Sequence, residues 1–308
     1  MKKISITTAL IALCSLLFAS CETEPREGEE VKETMTSGEF TVYCDAAVYD
    51  FLDTTFAMYR EEYPKVKLTT IEVDARQAMQ MLLSGNTRVS IIARDYLPDE
   101  DSLMKVHEVD RHERFHILDD ALVFYANPEF PLDTLNETQI KEILTNKDAK
   151  LKNYFKELKE EPRLVTLEYT SSVFANIKMM AAEGAAIQRT MKYFQTPDSV
   201  RNFVVDNPNT IGIGYLSQVV RDPALKMIRI GFTDSTGKYM YPETVHQANI
   251  IRGMYPWPVP YYAYLLRDLR DLPYWFGTFL AKESYVQRYF KDKGLVPAFA
   301  KIVLIPQD

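Results

Sequence analysis

Charged residues stand directly after three short apolar runs in the N-terminal part of the chain. Asp45 ends the first run, Asp74 follows the second, and Arg94 with Asp95 follows the third. If the runs are parallel strands, their carboxyl ends lie along one edge of a sheet, and open α/β sheets bind ligands at that edge. The spacing therefore predicts a polar ligand-binding rim.

Residues that could catalyse a reaction or hold a metal do not form a set. His112 and His116 are four positions apart, but their segment is interpreted as a solvated charged stretch, so no metal ligand is predicted. The chain has no G-x-S-x-G elbow and no P-loop, and the Gly-Ile-Gly sequence at 212–214 is interpreted as close-packed β structure. Cys44 is interpreted as a buried core thiol. We therefore predict that the chain has no catalytic residue, binds no cofactor and is not an enzyme.

The N-terminal residues predict a secreted protein with a lipid anchor. Residues 1–3 are positively charged through Lys2 and Lys3. Residues 4–18 are apolar but too few for a comfortable membrane span. Small residues then precede Cys21 in a pattern that resembles a bacterial lipobox. Cleavage before Cys21 would leave its thiol to carry lipid. The alternative is an ordinary signal peptide or an uncleaved anchor.

Composition limits the class of protein. The 308 residues are 46% hydrophobic and 26% charged, which is enough for a globular protein with two lobes. The net charge of −7 argues against a nucleic-acid partner, because binding to phosphates needs a basic face. Residues 22–38 are polar, rich in Glu and without apolar periodicity, so they predict a disordered tether. With Cys21 lipidated and Cys14 removed with the signal peptide, Cys44 has no partner for a disulfide.

From residue 39 onward, apolar runs alternate with helical periodicity, which is typical of a layered α/β protein. Strands are predicted at 40–44, 66–73 and 89–93. The helix after the first strand is expected to stop before Pro64, and Asp74 is a predicted N-cap with Gln77 as its reciprocal partner. The run of aromatic residues and prolines at 255–264 is interpreted as a hinge strand, with a carbohydrate platform as the alternative.

The order of these segments resembles that of phosphate-type solute-binding proteins of ABC transporters. The segments "YPKVKLTTIEV" and "SGNTRVSIIARDYLPDE" are similar to the first lobe of that family. Residues 119–147 resemble its crossover strand and the helix that opens the second lobe, and residues 207–219 resemble its return strand. The segments "YPWPVPYYAYLL" and "FGTFLAKESYVQRYFKDKGLVPA" resemble its second crossover and C-terminal helix. The likeness covers residues 39–300.

This resemblance implies a small anion held between two lobes by helix N-termini, which offer free N–H groups and partial positive charge. In the family, a turn rich in Ser, Gly and Thr opens a second-lobe helix and donates to phosphate; Thr170, Ser171 and Ser172 match this turn. The simpler interpretation is that these hydroxyls only cap the helix. Asp95 matches a position where phosphate binders use a carboxylate, which can accept the proton of a protonated phosphate.

The chain also departs from the family. The first-lobe turns usually carry Ser, Thr or Gly, whereas this chain has Asp45-Ala46 and Asp74, whose carboxylates would repel an anion and compete for the N–H groups. The arginine that usually precedes the serine turn is missing from residues 167–169. The nearest candidates for a compensating positive charge are Arg76 and Arg94.

Together these features predict an α/β protein with a two-lobed, periplasmic-binding-protein-like (type II) fold and crossing hinge strands. The predicted boundaries are a signal peptide at 1–20, a tether at 21–38, lobe 1 at 39–120 and 247–308, and lobe 2 at 121–246. The predicted ligand-binding residues are Asp45, Ala46, Asp74, Arg76, Arg94, Asp95, Thr170, Ser171 and Ser172.

The predicted function is the binding of phosphate or a similar small oxyanion, by hinge closure, for ABC-type uptake at a bacterial cell envelope. The expected partners are the anionic solute, an ABC permease and the lipid bilayer, which the protein reaches through Cys21. The protein is expected to be a monomer. The alternative is an envelope lipoprotein of the same fold that serves as a partner-binding or structural module without transport.

Overall fold

The structure is a computed structural model and describes residues 33–267 and 269–299. The predicted signal peptide, the lipidation site Cys21 and most of the predicted tether lie outside these ranges. The end of the predicted tether does lie within them: Glu33 contacts the folded part of the chain, and Gly38 already belongs to a strand.

The chain first builds a parallel layer of three strands. The strands are β1 (Gly38–Asp45), β2 (Val66–Val73) and β3 (Val89–Ile92). The helices α1 (Tyr49–Glu62) and α2 (Ala75–Leu83) connect them. β1 lies in the middle and pairs in parallel with both β2 and β3. These elements confirm the alternation of strands and helices that the sequence predicts from residue 39 onward.

β4 (Arg114–Ala126) is the long strand that joins the two halves of the sheet. Its first part, up to Ala121, pairs antiparallel with β11 (Pro258–Leu265), and its last part, from Leu122, pairs antiparallel with β8 (Thr210–Tyr215). The partner strand thus changes between two consecutive residues of β4.

The remaining elements follow in chain order. Before β4 lies α3 (Pro98–Val106), and between β4 and β11 lie β5 (Thr134–Asn136), α4 (Glu137–Thr145), β6 (Arg163–Leu167), α5 (Ser172–Asn176), β7 (Lys192–Phe194), α6 (Pro197–Asp206), β8, α7 (Leu216–Val219), β9 (Lys226–Thr233), β10 (Tyr239–Met240) and α8 (Gln247–Ile251). After β11 come α9 (Leu272–Lys282), α10 (Ser284–Asp292) and β12 (Val296–Pro297). A π-helical turn, Ile177–Ala181, continues α5.

The strand order along the sheet is β2-β1-β3-β11-β4-β8-β6-β7. We call β1, β2, β3, β11 and the first part of β4 the first strand group, and we call the last part of β4 with β6, β7 and β8 the second strand group. The mixed α/β fold class is confirmed. The lobe boundaries at 120/121 and 246/247 stay a prediction.

The glycines of β8 make room for one aromatic ring. A Cβ atom on Gly212 would lie 2.4 Å from Cε2 of Tyr125, and a Cβ on Gly214 would lie 3.4 Å from Cε1 of the same ring. Tyr125 lies on β4, beside β8, and its side chain is buried. The Gly-Ile-Gly sequence therefore lets the joint between β4 and β8 pack closely, as the sequence interpretation expected.

Glu33 ties the start of the described chain to the first strand group. Its carboxylate pairs with the Arg88 guanidinium at 2.8 Å and accepts the Leu272 N–H at 3.1 Å. Arg88 also pairs with Asp271, the N-cap of α9, at 3.3 Å. This three-way contact, which we call the Glu33 clasp, joins the segment before β1 to β3 and α9.

Candidate functional site

Asp45 lies at the end of β1, where the two strand groups meet, and its side chain points inward. Its Oδ1 accepts the Ala47 N–H at 3.1 Å, and its Oδ2 accepts the Ala93 N–H at 3.3 Å. The Ser172 side chain is a third hydrogen-bond partner, and Asp45 has no exposed surface. The carboxylate therefore occupies backbone donors beside the ends of β1 and β3.

The environment of Asp45 raises its pKa above the usual value. Burial is the largest cause, because a charged carboxylate loses its hydration. The hydrogen bonds from Ser172, Ala47 and Ala93 and the charge of Arg94 act in the opposite direction but do not cancel the effect of burial. Asp45 is thus a buried acid of the protein itself that is surrounded by hydrogen-bond donors.

A chain of hydrogen bonds reaches Asp45 from the second strand group. The Asn176 side-chain amide donates to the Tyr215 hydroxyl oxygen at 2.9 Å, and that hydroxyl donates to Ser172 Oγ at 2.8 Å. Asn176 also donates to the Ala93 carbonyl at 2.8 Å. These buried contacts hold α5 and β8 against the end of β3.

The serine turn adopts the predicted cap geometry. Ser171 is the N-cap of α5, and its hydroxyl oxygen accepts the Phe174 N–H at 3.1 Å. The turn also touches α2, because the Arg76 N–H donates to the Thr170 carbonyl at 3.1 Å. Thr170 and Ser171 line two cavities.

The first cavity is acidic and has a volume of about 240 Å³. Four of the predicted site residues besides Ser171 line it: Asp45, Ala46, Asp74 and Thr170. Glu72 and Glu168 add two more carboxylates to its wall. Asp74 uses its carboxylate to accept the Gln77 N–H at 2.9 Å, as the predicted N-cap of α2. An anion in this cavity would meet like charges.

The second cavity is larger, about 370 Å³, and contains cations. Arg76, Arg94 and Lys178 line it together with Thr170 and Ser171. Lys178 is exposed and forms no ion pair with a carboxylate in the described part of the chain. The sequence patterns predict the two arginines as site residues but not Lys178, which belongs to no motif.

Arg94 and Arg76 share a carboxylate, that of Glu100, which the sequence patterns do not predict as a site residue. Glu100 accepts two hydrogen bonds from the Arg94 guanidinium, at 2.8 and 2.7 Å, and one from Arg76 at 2.9 Å. The side chains of Arg94 and Glu100 are only 2% and 4% exposed. Asp99 forms a second ion pair with Arg76 at 2.5 Å. Arg94 is therefore a buried, fixed wall of the cavity.

Asp95 lies away from both cavities. Its carboxylate pairs with Arg114 at 2.6 Å, and the Arg114 guanidinium lies 4.0 Å above the centre of the Tyr262 ring. Burial alone would raise the pKa of Asp95, but the hydrogen bonds from Arg114 and the Tyr96 N–H lower it below the usual value. The structure does not bring Asp95 together with Asp45, Asp74 or the serine turn.

Residues 112–116 have the form H-E-x-x-H, which holds zinc when it lies on a helix. Here the segment leads into β4, and residues four apart in a strand are separated by about 13 Å. His112 Nδ1 contacts the Tyr96 hydroxyl at 2.8 Å, whereas His116 Nε2 contacts Asp119 at 2.8 Å. Across the described residues, no three His, Cys, Asp or Glu side chains converge as a metal site requires.

A comparison with protein-family models agrees with this fold. The family model described as a PBP superfamily domain matches residues 30–284. The chain belongs to the PBP superfamily. No curated protein matched this PBP-superfamily chain.

Solved structures show the same fold. A Clostridium perfringens protein described as a phosphate ABC transporter substrate-binding protein, with bound phosphate, aligns with a TM-score of 0.68 at 16% identity, over 84% of this chain and 99% of its own. An ABC-type phosphate transport receptor from Vibrio cholerae aligns with a TM-score of 0.65 at 16% identity, over 84% of this chain and 100% of its own. PstS from Borrelia burgdorferi aligns with a TM-score of 0.53 at 15% identity, over 85% of this chain and 99% of its own.

The first two of these structures are described as a substrate-binding protein and a transport receptor. The resemblance to phosphate-type binding proteins that the sequence suggests is confirmed at the level of fold. Within residues 33–267 and 269–299, no helix combines the length and apolarity needed to cross a bilayer. Cys44 is buried, as expected for a core thiol, and burial raises its pKa.

Proposed function

We propose that this chain is a solute-binding lipoprotein of a bacterial cell envelope, anchored through Cys21 at the periplasmic face or the cell surface. It holds a small anionic solute at the junction of its two strand groups and delivers it to an ABC permease. The observation that carries the proposal is the second cavity, which is lined by cations from α2, from the end of β3 and from the π-helical turn, together with Thr170 and Ser171.

The charges of the two cavities support this location for the solute. The first cavity is lined by Asp45, Glu72, Asp74 and Glu168 and by no cation. The second is lined by three cations and one carboxylate, Asp99. Two unlike charges attract with about 4 kcal/mol at 4 Å near a protein surface, and like charges repel as strongly, so an anion favours the second cavity.

Inorganic phosphate is the first ligand to test, because the sequence resemblance suggests it. The backbone donors at Ala47 and Ala93 already hold the Asp45 carboxylate, so phosphate at that position would have to displace an acid of the protein itself. Replacing Asp45 by Ser should free these donors and tighten phosphate binding. In the wild type, where Asp45 occupies these donors, the affinity for phosphate depends on the second cavity.

Isothermal titration calorimetry on the purified full-length chain tests the proposal. We expect an anion from a panel of phosphate, sulfate and organic acids to bind. We expect Lys178→Gln with Ser171→Ala to weaken binding by about 3–6 kcal/mol, since two hydrogen bonds to a charged group contribute about 1.5–3 kcal/mol each. Lys156→Gln, an exposed lysine outside both cavities, is the matched control. Binding that is unchanged in the double variant would contradict the location.

One observation favours the second candidate function. Because Asp45 and Tyr215 satisfy the donors and acceptors at the junction without a ligand, the strand groups can stay in contact with no solute bound. An envelope protein with this fold and no transport role would have this property. Absence of binding across the whole panel would favour that function over solute uptake.

A further inference from the structure

The second cavity is lined by apolar side chains as well as by cations. The apolar lining residues are Leu97, Pro98, Phe174, Ala175 and Met179, and Met179 is 39% exposed. Phe174 packs partly against the hydrophobic core and lies edge-on to Tyr193, with ring centres 6.0 Å apart. The cavity therefore offers both charged groups and apolar surface to a ligand.

The polar lining residues offer a small number of free donors. Arg94 commits its guanidinium to Glu100 and to the Asp95 carbonyl, so it contributes little to a ligand. Lys178 forms no ion pair within the described residues, and Arg76 is 41% exposed despite its two carboxylate partners. The Ser171 oxygen accepts the Phe174 N–H, which leaves its own O–H free to donate.

This arrangement fits poorly with a tetrahedral inorganic anion. Phosphate and sulfate carry oxygens in all directions, and each buried oxygen without a donor costs free energy. Here the free donors are few, and the lining includes the five apolar residues named above. A carboxylate group with an apolar body fits this lining, because its two oxygens need only a few donors and its body covers the apolar side chains.

We propose that the second cavity binds a small organic acid, a monocarboxylate whose apolar body packs against Leu97, Phe174 and Met179 and whose carboxylate is held by Lys178, Arg76 and Ser171. This inference rests on the proposed solute-binding function and specifies its substrate class. The volume of about 370 Å³ lies within the usual range for small-molecule sites, about 300–1,000 Å³.

A matched series of probes separates the contribution of the charged lining residues from that of the apolar ones. Phenylacetate carries both the charge and the apolar body, phenylacetamide carries the body without the charge, and acetate carries the charge without the body. In calorimetry on the full-length chain, we expect phenylacetate to bind at least about tenfold more tightly than phenylacetamide, acetate, phosphate or sulfate, a difference of about 1.4 kcal/mol. Hexanoate repeats the test with an aliphatic body.

Three variants locate the site. Lys178→Gln should weaken phenylacetate binding at least about tenfold and leave phenylacetamide unaffected, whereas Met179→Ser should weaken phenylacetate and leave acetate unaffected. Both positions are exposed, so the fold should tolerate the changes. Lys156→Gln should behave like the wild type.

The outcomes distinguish this inference from the proposed function. If phosphate or sulfate binds and the carboxylates do not, the solute-binding function stands and the organic-acid inference is wrong. If no probe binds, both are overturned. Tight phenylacetate binding that Lys178→Gln leaves unchanged would also overturn the inference, because the carboxylate would then lie in another site.

Discussion

The buried ion pair between Arg94 and Glu100 leads to the most direct test of the site's architecture. Replacing Glu100 by Ala leaves the Arg94 guanidinium buried without a counter-charge, and replacing Arg94 by Met leaves the Glu100 carboxylate with only Arg76 and the Leu97 N–H. Removing one partner of a buried ion pair costs about 3–5 kcal/mol, because the other charge remains desolvated. We therefore expect each single variant to lose about 3–5 kcal/mol of unfolding free energy.

The double variant separates this effect from ordinary loss of packing. With both charges removed, no uncompensated charge remains, so Arg94→Met with Glu100→Leu should cost much less than the sum of the single changes. Urea denaturation of the full-length chain gives the three free energies of unfolding. The control is the Lys67–Glu39 pair, whose side chains are 77% and 75% exposed and which should contribute at most about 1 kcal/mol.

The result that would refute this reasoning is a small effect. If Arg94→Met or Glu100→Ala cost no more than removal of the exposed pair, then Arg94 would not be a buried, fixed wall of the second cavity. If the loss of unfolding free energy in the double variant equalled the sum of the two single losses, the two side chains would likewise not interact as the distances indicate.

Three further predictions concern anchoring, acidity and packing. Cys21→Ser should release the protein from membranes or leave its precursor uncleaved, as membrane fractionation and mass spectrometry can show; normal cleavage with full membrane retention would contradict the anchor. Burial raises the pKa of both Asp45 and Asp120 in the folded chain. The stability that these two carboxyl groups contribute is therefore present below their unfolded pKa of about 3.9, and it is lost as the pH rises through their folded pKa. The urea midpoint of Asp45→Asn with Asp120→Asn should therefore fall less than that of the wild type between pH 4 and pH 8, and an identical decline would contradict the assignment. Gly212→Ala should lower the free energy of unfolding by about 1–3 kcal/mol, because its Cβ would overlap the Tyr125 ring, and a neutral effect would show that the ring can move.

Local patterns in the sequence predicted the elements of the first strand group closely. The strand at 66–73 matches β2 at both ends, and the helix before Pro64 ends at Glu62. Asp74 and Ser171 both cap helices, as their types and positions indicated. These features depend on residues adjacent in the chain, so periodicity and capping chemistry are sufficient to predict them.

The arrangement of charges could not be predicted in the same way. Asp95 was placed on the ligand rim because it follows β3, but its partner Arg114 is 19 residues further along the chain and at the far end of a different strand pair. Glu100 neutralises Arg94 from α3. Whether Asp45 faces a ligand or occupies the donors itself depends on one rotamer and on its burial. Such contacts depend on tertiary packing, which spacing in the sequence does not encode.

The Glu33 clasp is the first contact that a pull on the chain before β1 would meet. Any tension transmitted along the residues that precede Glu33 reaches the Arg88 guanidinium and the start of α9 before it reaches the hydrogen bonds of β1. Because Arg88 is one residue from β3, the pull is shared between the sheet and a helix instead of peeling one strand from its end. A force applied at Glu33 is thus resisted by these ion pairs before it loads the strand pairing of β1.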